Sequence, residues 1–325
     1  MGTARTRLYR KGVLDAEDFE VADVSELLEE PDTVVWVDLC GPSTDQLHEL
    51  AVELSLHELA VEDALDEHQR PKLDHYADHL FLSCHAVRVD VERGELDKSE
   101  IDTFISPRWL ITVRDDDRFD LGDLLQRWDR SPDLAKFGVG YLLYGLLDVV
   151  VDSYFGAAQQ FDEFYDRVSE GIFSGQPVDP ARQRHWFEMR RALVTLHRLV
   201  GPLREAVTSL MRREHAIVTG DLYPYYQDVY DHILRASETT DSLRDLVTSI
   251  VESNLSLRDY RQNLIMKKVT SVAAILAVPT LITGYYGMNV PFPGFGRTLG
   301  FVSALALIAI VSGLLYLLFR RKDWL

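Results

Sequence analysis

The spacing of apolar positions changes twice along this chain. From about residue 33 to 114, short runs rich in β-branched and aromatic residues, "TVVWVDL", "HLFLSCHAVRV", "EIDTFIS" and "WLITVRD", predict strands, while 44–65 carries a helical spacing. An α/β domain over 1–136 follows from this mixture. Beyond Phe137 the glycine and proline punctuation thins and the period becomes 3.6, which predicts long helices near 138–173, near 179–215 and from Pro224 onward. "SGQPVDP" predicts the turn of a helical hairpin over 137–222, with Asp179 as N-cap and Pro180 at the first helical position. Gly201-Pro202 predicts a kink in the second helix.

The third helix has no breaker between Tyr225 and Val278, and apolar or small residues recur with 4-3 spacing at Val229, Ile233, Ala236, Thr240, Leu243, Val247, Ile250, Asn254, Leu257 and Leu264. A stalk over 223–268 running directly into an apolar segment is the prediction. Two charge-free stretches follow, 269–286 and 299–319, each near the ~20 residues that cross a bilayer. Lys267-Lys268 precede the first, and the basic tail 320–325 follows the second. The positive-inside bias therefore places both ends of this pair, and both chain termini, in the cytoplasm, with 287–298 as an external loop.

Charge sharpens this division. Residues 266–325 hold six of the 34 Lys+Arg and one of the 52 Asp+Glu, so 1–265 carries 28 bases against 51 acids. Such a surface repels nucleic acid and attracts cations. Cys40 and Cys84 have no CxxC spacing and lie in strand-like runs, as reduced core thiols do. No nucleophile-base pair, phosphate loop or dinucleotide fingerprint supports an enzyme.

The two spans differ in chemistry. The second is almost wholly aliphatic, whereas Met266, Thr270, Ala273, Ala277, Thr280 and Gly284 put small or weakly polar groups along one face of the first. That face suits either close helix packing or the wall of a narrow water path. Two helices cannot enclose a pore, so a conduit requires an oligomer with the first span innermost.

"PTLITGYYGMN", a short loop, a second span and the ending "RRKDWL" together resemble the CorA family of divalent-cation channels, whose signature is Gly-Met-Asn at the end of the first span. "LHELAVEDALDEHQRPKLDHYADHLFLS" (56–83), "YLLYGLLDVVVDSYF" (141–155) and "YYQDVYDHI" (225–233) are similar to further segments of that family, so the resemblance covers about Val34 to the end. It implies a homo-oligomeric, pentameric funnel of α+β class: a cytoplasmic α/β domain, a long helical bundle with a stalk, and two C-terminal membrane helices. Mg²⁺ would be both the transported and the regulatory ion, Co²⁺ or Ni²⁺ further permeants, and Gly287, Met288 and Asn289 the selectivity filter.

The chemistry of Mg²⁺ fits such a filter. This ion dehydrates reluctantly, so a ring of Asn289 carboxamide oxygens does better to accept hydrogen bonds from its waters than to strip them. Gly287 is expected in the left-handed conformation that ends the helix, and Met288 in packing that fixes the turn. The loop departs from many relatives in lacking acids and in carrying Arg297. The resemblance also implies regulatory ion sites between subunits at Glu62, Asp63 and Asp228. Asp152 lies near a third such position, but Ser153 stands beside it where some relatives have a second acid.

Two other readings remain open. A zinc-transporting branch has Val where Met288 stands here; the histidines His68, His75, His79 and His85 invite the same metal, yet the His75/His79 pair binds one only on a helix, and "KLDHYADHLFLS" reads as a turn entering a strand. A membrane-anchored scaffold without transport is the third.

Overall fold

The computed structural model of the chain describes residues 3–66, 69–173, 179–212, 217–291 and 294–325. Its strands are β1 Thr3–Arg10, β2 Val13–Glu17, β3 Thr33–Cys40, β4 Lys72–His75, β5 Leu80–Asp90, β6 Glu95–Ile105 and β7 Trp109–Arg114. The helices are α1 Val24–Glu29, α2 Thr44–Leu54, α3 Glu58–Leu65, α4 Leu121–Arg130, α5 Pro132–Ala135, α6 Val139–Phe173, α7 Pro180–Leu210, α8 Tyr223–Tyr286 and α9 Thr298–Arg321.

Among the described residues the strands form one sheet in the order β2-β1-β3-β7-β6-β5-β4. β3 and β7 run parallel, from Val35 beside Trp109 to Cys40 beside Arg114, and the other neighbours are antiparallel. Alternation along the strands gives the sheet two buried faces. Val35, Val37, Phe81, Phe104 and Ile111 meet Leu47, Leu50, Ala60 and Val61 of α2 and α3 on one of them. α6 covers the other, where the Val87 N–H donates to the Ser153 hydroxyl over 3.0 Å.

The four strands expected from the sequence are β3, β5, β6 and β7. β1, β2 and β4 were not expected: three arginines in β1 mask its pattern, and the "KLDH" of β4 reads as a turn. Arg7 is nonetheless buried, since Glu17 and Asp129, at 2.6 and 2.9 Å, satisfy its guanidinium. The segments 1–136 and 137–222, distinct in sequence, pack together in one unit, Met1–Val247, and Thr248–Leu325 forms a second. Asp179 caps α7 by accepting from the Ala181 N–H, and Pro180 occupies the first turn as expected. α7 contains Pro202 within its span and ends at Leu210 rather than near 215. The hairpin turn itself lies outside the described residues.

α8 is one unbroken helix of 64 residues, roughly 96 Å at ~1.5 Å per residue. Its 4-3 seam is buried at Val229, Ile233, Ala236, Thr240, Leu243, Val247 and Ile250, then only half-buried at Asn254, Leu257 and Leu264. Among the described residues three helices are long and apolar enough to cross a membrane, and burial separates them: the apolar window of Val139–Ile172 is 67% buried, against 11% in Tyr223–Tyr286 and 6% in Thr298–Arg321. The first is therefore core. The other two present apolar surface that this chain leaves uncovered.

Candidate functional site

α8 stops where its hydrogen bonding runs out. The Gly287 N–H still donates to the Thr283 carbonyl over 2.8 Å and the Met288 N–H to Tyr285 over 3.3 Å, after which Gly287, Met288 and Asn289 form an exposed turn. The left-handed conformation expected at Gly287 is found instead at Gly294 and Gly296, because a right-handed Gly287 keeps one more helical bond. Met288 is 47% exposed, so the packing expected of it does not occur within one chain.

Met266, Thr270, Ala273, Ala277, Thr280 and Gly284 are all exposed, whereas Ser271 and Ile282 on another face of α8 are buried. A side chain added at Gly284 would meet nothing within 4 Å. The Thr280 hydroxyl donates to the Leu276 carbonyl over 3.0 Å, and Thr283 likewise to Pro279 over 2.9 Å. Each hydroxyl thus spends its proton on the helix and offers only acceptor lone pairs outward, the polarity that hydrated cations seek.

The acids expected to sense the ion stand on two elements. α3 buries Ala60, Val61 and Ala64 against the sheet, which leaves Glu62 exposed and Asp63 half-buried at the side. Asp63 is already engaged, accepting from the Lys72 ammonium at 2.6 Å. Asp228 stands exposed on α8, and its neighbours within the chain are Asp148 of α6 and His232, one turn further along α8. Ligand atoms of these three lie within 4.8 Å of one another. Asp228 Oδ1 is 3.8 Å from His232 Nε2, and the other ring nitrogen, Nδ1, is buried without a hydrogen-bond partner.

Two close approaches hold this cluster together. The Tyr226 hydroxyl donates to the Gly140 carbonyl over 2.8 Å, tying α8 to the start of α6, and a Cβ at Gly140 would collide with the Ile217 carbonyl at 2.2 Å. Gly145 lets the Trp128 indole lie against α6, where its N–H donates to the Leu142 carbonyl over 3.0 Å. That packing sets the neighbouring Arg127 above α6, paired with Asp148 and, at 2.8 Å, with Asp152. Burial pushes the Tyr144 phenol up from its usual pKa; the Arg127 charge opposes this and Asp228 adds to it.

A long helix entering an uncovered apolar segment, a second apolar helix and a mixed α/β unit recur in known proteins. Residues 31–321 match the family described as "CorA-like Mg2+ transporter protein". The chain belongs to that family. It is 28% identical over 314 residues to the cobalt/magnesium transport protein CorA of Thermotoga maritima, covering 95% of this chain and 89% of that one. The solved CorA magnesium transporter of Methanocaldococcus jannaschii superposes with a TM-score of 0.79 at 23% identity, over 99% of this chain and 98% of the other. The zinc transport protein ZntB of Vibrio parahaemolyticus matches less of the chain, 24% over 180 residues, or 55% of this chain and 56% of its own length. This is a CorA-family divalent-cation transporter with the CorA fold, and Mg²⁺ is an ion the family carries.

Within this CorA-family chain, Asp148 and His232 escaped the reading of the sequence. Asp228 and His232 have the i, i+4 spacing of ligands sharing a helix face, and Asp148 is a lone carboxylate in the apolar run 141–155; both signals were visible. What places Asp148 beside them is the pairing of α6 with α8. His75 and His79 lie at the end of β4 and just before β5, joined by a turn in which the Tyr76 N–H donates to the His79 carbonyl, so no helix aligns them. Burial lowers the His79 pKa. His85 is buried 3.6 Å from Glu100, and His68 lies outside the described residues.

Proposed function

We propose that this chain assembles with copies of itself, as a pentamer, into a passive channel that carries Mg²⁺, and also Co²⁺ or Ni²⁺, across the cell membrane, with both termini in the cytoplasm. One observation carries this reading: the stripe from Met266 to Gly284 is exposed along its whole length, while the seam of the same helix is buried as far as Ile250. On this reading the small, weakly polar stripe is covered by its own copies, and a ring of such stripes encloses a water path. Asn289 would then form the filter at the outer end, gripping the hydrated ion without fixed charge. Cytoplasmic Mg²⁺ would hold the assembly shut by sitting among Asp228, Asp148 and His232 of one subunit and Glu62 and Asp63 of the next. A zinc transporter, proton-coupled or not, is the second reading, supported by the partial ZntB match and by an imidazole in the cluster.

Flux into liposomes tests both. Mg²⁺ uptake without a pH gradient, blocked by hexaamminecobalt and abolished by Asn289→Ala in protein that still assembles, is the expected result. Zn²⁺ uptake that requires a pH gradient would favour the second reading, and Asn289→Ala with full Mg²⁺ flux would remove Asn289 from the filter.

A further inference from the structure

The ion-sensing cluster already contains a cation. Arg127 reaches down from α4 and pairs with Asp148, a member of the cluster, and with Asp152 one turn away on α6. We propose that Arg127 is a tethered counter-cation, and that a divalent ion binds Asp148, Asp228 and His232 by exchange for its guanidinium. This rests on the reading of the cluster as an ion site.

Two observations and one electrostatic argument favour exchange over simple addition. The Asp148 side chain is only 9% exposed, and a lone carboxylate there would be costly, so the empty cluster needs a positive charge. Arg127 and the Tyr144 hydroxyl both reach Asp148 Oδ2, the latter at 3.3 Å, so that oxygen has little capacity left for an ion. An ion close to Asp148 would also repel the guanidinium.

Arg127 has somewhere to go. Its side chain is 34% exposed and lines a cleft of about 600 Å³, whose wall includes Asp97, Asp120 and Asp123. Released from Asp148, the guanidinium keeps its bond to Asp152 at the edge of this cleft, whose lining mixes these acids with Arg88, Arg118 and Arg130. The exchange sets the threshold of the sensor, since the apparent affinity for the ion falls by the fraction of molecules in which Arg127 occupies Asp148. A free carboxylate cluster would fill at lower concentration. The arginine raises the concentration at which the ion takes over.

Co²⁺ is a suitable probe because an imidazole ligand favours it over Mg²⁺. The experiment titrates Co²⁺ into the full-length assembly and reads heat and protection of residues 1–247 from protease. Arg127→Gln should lower the titration midpoint roughly tenfold, and Arg127→Lys should leave it within about threefold, because the charge remains. A midpoint unmoved by Arg127→Gln, while Asp228→Asn raises it tenfold or more, overturns the exchange and leaves the ion site standing. Midpoints unmoved by both Asp228→Asn and His232→Ala would instead overturn the site. If Arg127→Gln fails to assemble, Arg127→Gln with Asp152→Asn removes one charge of each sign. Compared with Asp152→Asn alone it should still bind about tenfold more tightly, and equal midpoints would overturn the exchange.

Discussion

Arg114 grips Asp38 with two parallel hydrogen bonds, Nε to Oδ1 at 2.9 Å and Nη2 to Oδ2 at 2.7 Å, across the parallel strands β3 and β7. Both residues are almost wholly buried, and Thr112 donates to the same carboxylate at 2.7 Å. The remaining Arg114 donors reach the carbonyls of Asp116 and Phe119, which fixes the start of the segment leading to α4. Removing one partner strands the other. Asp38→Ala is expected to destabilise the chain by about 3–5 kcal/mol, whereas Asp38→Leu with Arg114→Met should cost much less. Unfolding of the full chain in denaturant, followed by tryptophan fluorescence, checks this; equal losses for the single and double variants would show that the pair's charges are not the cause.

Asp102 gives the first unit a pH dependence. It is buried on β6, and burial pushes its carboxyl up to about 8; the facing Ser83 offsets part of this, and Glu100, Asp115 and Asp63 add to it. The folded state thus holds a proton that the unfolded chain, with an ordinary carboxyl near ~3.9, releases. That contribution to stability is fully present below about pH 4 and is lost as pH rises through about 8, at up to ~1.4 kcal/mol per pH unit. Asp102→Asn should flatten the fall, which denaturant midpoints measured from pH 5 to pH 8 will show. Parallel curves for the two proteins would mean that Asp102 is ionised in the fold.

Arg297 caps the N-terminus of α9 with backbone alone, since its side chain makes no capping bond, and its residue is exposed. Arg297→Glu should raise the apparent ion affinity of flux at low salt and change it far less at physiological ionic strength, where fields are screened within ~8 Å. The same affinity at low salt in both proteins would show that charge at this loop does not limit ion entry.

Asp63 stands on α3 and Asp228 on α8, and on the proposed reading they act together across two subunits. Asp63→Asn with Asp228→Asn should make flux insensitive to cytoplasmic Mg²⁺ and weaken protease protection by that ion. Less repulsion favours closing while loss of the bridging ion favours opening, so the readout is Mg²⁺ sensitivity and not basal flux. Asp63→Asn also gives up the Lys72 contact, so Lys72→Gln serves as the control that should leave Mg²⁺ sensitivity in place. Identical Mg²⁺ titrations for wild type and the double variant would move the sensor elsewhere.

The sequence by itself determined the local elements. Strands β3, β5, β6 and β7 follow from β-branched runs, the cap at Asp179 from Asp-Pro, and the uninterrupted α8 from its lack of breakers, because each depends on neighbours within a few residues. The two uncovered apolar helices were legible for the same reason. Only the tertiary structure decided what depends on partners distant in the chain. Arg7 is buried because Asp129, 122 positions away, receives it, which is why β1 did not read as a strand. Val139–Ile172 is apolar enough for a membrane and is core instead, because the sheet and its neighbouring helices cover it. Asp148, Asp228, His232 and Arg127 come together where Gly140 admits the turn at Ile217 and Gly145 admits Trp128 of α4, places where a Cβ would collide, a property of packing that spacing along the chain does not encode.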